Sequence, residues 1–281
     1  MDLDYCLSEL KALLAIDSPS GFTDRAADHL MQALESLGYR PEKTRKGGVL
    51  CCLGGEGDGL LLMAHVDTLG GIVSSIKPNG RLQISPVGGL RAENCEAENC
   101  RIYSRFSGTY TGTLQIVNAS VHVNDDYAGA KRTFRDSEIV IDENVRTAEA
   151  VRALGIAPGD FVCFDPRTVI TESGYIKSRF LDDKLSAAIL LAYAKMLRDE
   201  NRTPKRRIYL HFTVYEEVGH GAAASVPDDV TEVLSVDMGC VGDGVTCTEH
   251  EVSICAKDSG GPYDYRVTTA LVQAARQAGA Q

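Results

Sequence analysis

No apolar run in this 281-residue sequence approaches the roughly 20 residues that a membrane-spanning helix requires, and the stretch at 60–64 is among the longest. The N-terminus Met1-Asp2-Leu3-Asp4 is acidic where a secretory leader would carry basic residues. The expectation is a chain that neither spans a membrane nor is exported. Positive charge is also short: 29 Lys and Arg stand against 39 Asp and Glu, for a formal net charge of −10. That balance argues against an extended basic surface for nucleic acid. Nine cysteines are present, but C-x-x-C spacing is lacking at Cys51-Cys52, Cys95/Cys100 and Cys240/Cys247/Cys255, which argues against a structural zinc or redox motif. Reduced thiols in a cytoplasmic protein are the simplest expectation. Internal repeats and low-complexity tracts are missing as well. What remains, 44% hydrophobic and 24% charged, has the composition of a globular chain with one large or two modest domains.

Hydrophobic spacing organises the chain into an α/β frame with an interruption. Cys6, Leu7, Leu10, Leu13 and Leu14 predict a helix over 4–14, ended by Pro19-Ser20-Gly21. A second helix follows, with Thr23 expected as its N-cap, Ala27, Leu30, Met31 and Leu34 on one face, and Gly38 at its end. Strands are expected over 48–53 and 59–66. The second is continuously apolar, as a parallel strand buried on both faces would be. From 70 to about 165 the texture changes to short alternating stretches: 81–85, 114–117, 138–141 and 160–164, with a turn at Asn79-Gly80 and one short helix over 148–154. This predicts a small, mostly β domain inserted into a larger one. The α/β pattern then resumes with a helix after Asp182-Asp183, its stripe marked by Leu185, Ile189, Ala192 and Met196. Strands are expected over 207–215, 232–236 and 252–256. The helical pattern near the end of the chain shows no closing Gly-Pro or polar tail, so the fold is expected to continue past Gln281.

Four clusters of acids and histidine follow predicted buried strands or open a helix: His65/Asp67, Asp182/Asp183, Glu216/Glu217 and Asp237. In open α/β sheets, ligands bind beyond the carboxyl ends of the strands, so distant residues can meet in one crevice. An imidazole with several carboxylates and no thiolate suits divalent zinc, cobalt or manganese. An excess of carboxylates further favours two ions sharing a bridging carboxylate. Each cluster alone has an ordinary explanation. A lone histidine at a strand end is usually a hydrogen-bonded core residue, and Asp182-Asp183 could serve only a helix dipole. Glu216-Glu217 is harder to dismiss, because adjacent carboxylates after an apolar strand need compensation. Paired acids also serve glycosidases, but those need two acids at a set separation rather than a histidine-anchored cluster.

Taken in order, Ala64-His65-Val66-Asp67, Leu181-Asp182-Asp183-Lys184, Tyr215-Glu216-Glu217-Val218-Gly219 and Ser235-Val236-Asp237-Met238-Gly239 resemble the M42 metallo-aminopeptidases, the tetrahedral and glutamyl aminopeptidases. The M28 and M20 hydrolases share a similar ligand order. The gap from Asp67 to Asp182, 182 − 67 = 115 positions, accommodates the β-rich insert where M42 enzymes carry theirs. The resemblance implies a mixed-sheet di-zinc catalytic domain in two parts, 1–69 and 167–281, around an inserted barrel or PDZ-like domain at 70–166.

It also implies roles for individual residues. His65 and Asp237 would bind one metal, Glu217 the second, and Asp182 would bridge them, joined to Asp183 by a cis peptide. Asp67 would accept the other N–H of His65 and fix its tautomer. Glu216 would be the general base of an aminopeptidase that trims short peptides with two divalent ions, zinc or cobalt foremost. Self-association through the insert, from dimer to dodecamer, is implied too. M42 enzymes take a last ligand to the second metal from a histidine in a C-terminal segment that these residues do not match. His220 and His250 lie in the wrong contexts to replace it, so either a fragment or a shortened relative is expected. Two other readings stay open: an M20-like amidase or deacylase, and a non-catalytic relative with an incomplete second metal site.

Overall fold

The computed structural model describes residues 1–280 and divides into two compact units, Met1–Val236 and Asp237–Gln281. In the first unit, α1 (Leu3–Ala15) and α2 (Asp24–Ser36) precede β1 (Glu42–Lys43), β2 (Val49–Gly54) and β3 (Glu56–His65). A barrel segment comes next: β4 (Gly70–Ile76), β5 (Leu82–Val87), β6 (Asn99–Ser104), β7 (Gly108–Ile116), β8 (Ser137–Ile141), α3 (Ala148–Ala153) and β9 (Phe161–Phe164). A short hairpin, β10 (Val169–Ile170) and β11 (Ile176–Lys177), leads back to α4 (Leu181–Asp199), β12 (Arg206–Thr213) and β13 (Val230–Ser235). The architecture is a mixed α/β sheet interrupted by a closed six-stranded barrel.

The sheet has the order β1-β2-β12-β3-β13. β3 is parallel to both β12 and β13, whereas β2 is antiparallel to β12. Pairing of Thr213 with His65 and of Ser235 with Met63 brings the carboxyl ends of three strands level. The apolar residues of α1, α2 and α4 lie against one face: Leu10, Leu13, Leu30, Leu34, Ala187 and Leu191 are buried there with Leu210 and Phe212 of β12. Each buried leucine contributes about 1.5–3 kcal/mol relative to exposure. The other face carries Leu50, Leu61 and Met63, with Tyr209 and Val230 partly buried against them.

The barrel closes in the order β4-β5-β8-β7-β6-β9. Alternate residues fill its interior, among them Leu82 and Ile84 of β5, Ile102 of β6, Leu114 of β7 and Ile139 of β8, capped by Val151 of α3. Gly80 allows the tight β4–β5 turn. It has a φ of +78, and a Cβ there would lie 3.1 Å from the Thr147 nitrogen.

Polar clasps fasten the barrel to the rest of this unit. Asp17, after α1, receives the Tyr103 hydroxyl at 2.6 Å and the Arg101 guanidinium at 2.5 and 2.8 Å. Buried Glu98 pairs with Arg167 and Arg179 at 2.7 and 2.8 Å.

Some local expectations need correction. Residues 252–256 form no strand: Val252 is exposed, and the pairing nearby is an isolated bridge between Lys257 and Pro262. An apolar alternation without a neighbouring strand has no ladder to join. The buried face of α4 is broader than the expected stripe. Ala187, Ala188, Leu190, Leu191, Ala194 and Leu197 are buried, while Leu185, Ile189 and Met196 are only partly so. Small alanines let the sheet and α1 approach closely. Thr23 precedes α2 but makes no side-chain cap. In the second unit α5 (Tyr265–Ala278) starts at Asp264, whose carboxylate accepts from the N–H groups of Arg266 and Val267, and it ends at Gly279 with a φ of +70. That left-handed cap went unread in the sequence.

Candidate active site

His65 ends β3 and is 2% exposed. Its Nδ1 lies 2.9 Å from the main-chain oxygen of Asp67 and 3.4 Å from that residue's Oδ1. The carbonyl, more than the carboxylate, therefore fixes the tautomer, and Nε2 is left facing the acids. Nε2 is 3.0 Å from Asp182 Oδ1 and 3.5 Å from Glu216 Oε2. Burial opposes a positive imidazole. The hydrogen bonds to Asp182 and Asp67 and the charges of Asp67 and Asp183 outweigh it and push His65 up to about 11.

Asp182 and Asp183 open α4, joined by a cis peptide and both outside helical dihedrals. Phe180, with a φ of 65, turns the chain into them. These acids are therefore not simply the first turn of a regular helix. Asp183 is buried, and its Oδ2 accepts the His65 N–H at 3.1 Å, while the half-exposed Asp182 side chain reaches the imidazole.

Glu216 and Glu217 occupy a 3-10 turn after β12, closed by Gly219 at a φ of +84. Desolvation, then the Asp182 charge and those of Asp67 and Glu216, raise the Glu217 carboxyl to about 7 against the opposing pull of His65. The barrel touches this turn directly. At Gly88, with a φ of +69, a Cβ would lie 2.6 Å from Leu69 Cδ2 and 3.1 Å from the Glu217 carbonyl oxygen.

Asp67 is fully buried. Its carboxylate accepts from the Ser20 hydroxyl at 2.5 Å, the Glu216 N–H at 3.2 Å and the Glu217 N–H at 3.3 Å. Burial favours the neutral acid, but hydrogen bonds from His65 and Ser20, the His65 charge and the Glu216 N–H hold the carboxyl below its ordinary value. Fully buried Lys184 donates to the carbonyls of Leu13 and Ile16 at 2.9 and 2.6 Å, tying the start of α4 to the end of α1. Burial pushes this ammonium down to about 7, against the pull of Asp17.

Five of the six anticipated residues, His65, Asp67, Asp182, Glu216 and Glu217, thus lie at the carboxyl edge of the sheet in the first unit. Asp237 opens the second unit directly after Val236, whose N–H donates to the Met63 carbonyl at 2.8 Å. His220 stacks on Tyr215 with centroids 5.1 Å apart, and its Nδ1 is 3.0 Å from Lys46 Nζ. Ser20, Gly88 and Lys184 were not singled out in the sequence. Pro19-Ser20-Gly21 signalled only a helix break, and Lys184 stood beside stronger candidates.

The donor set fits a divalent cation. One imidazole nitrogen, its tautomer fixed from behind, faces carboxylate oxygens in a pocket where acids outnumber bases.

Comparison with known proteins identifies the family and the fold. The sequence profile described as M42 glutamyl aminopeptidase matches residues 47–281. The chain is 40% identical over 270 residues to the Bacillus subtilis (strain 168) protein named "Putative aminopeptidase YhfE", covering 95% of this chain and 78% of that one. The TET aminopeptidase of Thaumarchaeota archaeon SCGC AB-539-E09 superimposes with a TM-score of 0.88 at 20% identity, over 100% of this chain and 80% of its own. The Pyrococcus horikoshii TET1 peptidase does so with a TM-score of 0.80 at 21% identity, over 98% and 82%. The chain belongs to the M42 glutamyl aminopeptidase family and is a hydrolytic peptidase.

Proposed function

We propose that the chain is a two-metal aminopeptidase that removes N-terminal residues from short peptides. The observation that carries this reading is the convergence of His65 Nε2 with Asp182 Oδ1 and Glu216 Oε2 at the carboxyl edge of the sheet. His65 and Asp237 would hold one ion, Glu217 the other, and Asp182 would lie between the two. When bound, such ions, zinc or cobalt foremost, supply Lewis acidity to the attacking water and the scissile carbonyl.

Glu216 acts as general base. Its half-exposed carboxylate takes a proton from the attacking water and returns it to the departing amine, while the Asp67 carbonyl, 2.9 Å from Nδ1, keeps the His65 ring oriented. A free substrate α-amine would bind at the second ion or at nearby acids, which favours exopeptidase over endopeptidase cleavage. Residues 1–69 and 167–281 form the catalytic part in this proposal, and the insert at 70–166, PDZ-like in its placement, serves self-association. The assembly of the Pyrococcus TET1 peptidase into a tetrahedron or an octahedral shell supports self-association, and its route through the insert is part of the proposal. A cytoplasmic setting is part of the proposal, and the nine cysteines among the described residues are free thiols. No helix among them is long and apolar enough to cross a membrane.

The test is E216Q assayed on aminoacyl-p-nitroanilides. The variant should keep the wild-type metal content and lose about 10²–10⁴ in kcat. Full activity in E216Q would overturn the assignment. Preference of the wild type for N-acylated substrates would favour the amidase reading.

A further inference from the structure

We infer that Ser20 is a positioning residue for hydrolysis, acting through Asp67 on the turn that bears Glu216 and Glu217. This rests on the family reading for the reaction itself, but the geometry is that of the chain alone.

The loop between α1 and α2 runs beside the segment that follows β3. Ser18 Oγ donates to the Val66 carbonyl at 2.7 Å, the Thr68 N–H to the Ser18 carbonyl at 2.9 Å, and the Ser20 N–H to the Thr68 carbonyl at 3.2 Å. These bonds fix the Ser20 backbone on both sides of Asp67, and the 7% exposed side chain is left with a single hydroxyl directed at Asp67 Oδ2, 2.5 Å away. Of the groups around that buried carboxylate, this is the shortest contact. The N–H groups of Glu216 and Glu217 are at 3.2 and 3.3 Å, one on each oxygen, and His65 Nδ1 is at 3.4 Å.

A carboxylate that receives two successive backbone N–H groups sets the plane and position of the turn they belong to. Its own rotation is set by the remaining donors. With the Ser20 hydroxyl in place, each oxygen faces one N–H of the turn. Without it, His65 Nδ1 is the remaining side-chain donor, and the carboxylate is free to swing toward the imidazole and away from the turn. Ser20 reaches the site only through Asp67, whose two oxygens hold the amides of Glu216 and Glu217, so its effect falls on the aim of the turn that bears both. A base that is misaimed loses rate in the transition state and leaves ground-state binding largely intact.

The experiment compares wild type, S20A and S20T by residue-resolved amide exchange in the metal-free full chain, and by steady-state kinetics on an aminoacyl-p-nitroanilide with zinc or cobalt supplied. S20A should accelerate exchange at the Glu216 and Glu217 amides about tenfold while Leu13 and Leu14 in α1 exchange as in wild type. Its kcat should fall about tenfold with KM within about twofold, and S20T should restore both readouts. Unchanged exchange at Glu216 and Glu217 in S20A would overturn the inference. So would a uniform acceleration that includes α1, a loss carried by KM, or a failure of S20T to rescue. If the wild type hydrolyses no aminoacyl substrate, the family reading of the reaction fails, and the amide exchange alone still decides whether Ser20 holds the turn.

Discussion

His211 offers a direct measurement of what this sheet does to a buried base. It lies on β12, paired with Leu50 and Met63, is 2% exposed, and its Nδ1 finds no hydrogen-bond partner among the described residues. Desolvation, with a smaller contribution from the Lys46 charge, pushes the imidazole down from its ordinary 6.5 to about 4. Because the folded value is lowered, His211's contribution is complete above about pH 6.5. As pH falls, the unfolded chain takes up a proton that the folded chain refuses, and stability is lost until about pH 4, below which both states are protonated. At 1.36 kcal/mol per pH unit the full effect is about 3 kcal/mol, of which about 2.5 kcal/mol should be gone by pH 4.5. The assay is urea denaturation of wild type and H211L from pH 7.5 to 4.5, taking the difference between the two proteins at each pH so that other titrating groups cancel. Wild type should lose about 2.5 kcal/mol relative to H211L across that range. A difference that stays constant within about 0.5 kcal/mol would show that His211 is solvated or partnered and would refute the argument.

Two further outcomes follow from the packing around the site. K184M removes the donor from the Leu13 and Ile16 carbonyls and should destabilise the chain by about 2–4 kcal/mol, read as a lowered denaturation midpoint; an unchanged midpoint would mean that water replaces the ammonium. G88A must fit a Cβ against Leu69 and the Glu217 carbonyl at a positive φ, so a cost of about 1–3 kcal/mol in unfolding free energy is expected, against no change for G89A, where a Cβ meets open space.

Much of the candidate site was legible in the sequence. His65, Asp182 and Glu216 carry chemistry in their side chains, and each follows a strand or opens a helix whose apolar pattern is local, so their order along the sequence could be read directly. The barrel was legible for the same reason: period-two alternation and turn residues such as Asn79-Gly80 are short-range signals. What escaped was long-range. Ser20, Gly88 and Lys184 act through partners 47, 129 and 171 positions away, and nothing in their neighbourhoods announces this. The expected strand over 252–256 failed from the same cause seen in reverse, since alternation proposes a strand and only a neighbouring strand completes it.

The sequence by itself determined the kind of chemistry, an imidazole among carboxylates, and the alternation of elements that carries it, because side-chain identity and hydrophobic period are properties of short segments. The tertiary structure alone decided how those groups are aimed. It gave the Asp67 carboxylate to the backbone of Glu216 and Glu217, left the tautomer of His65 chiefly to a carbonyl, and brought a glycine of the barrel against the Glu216–Glu217 turn. Those outcomes depend on which distant segments pack together, and packing is fixed by the whole chain at once.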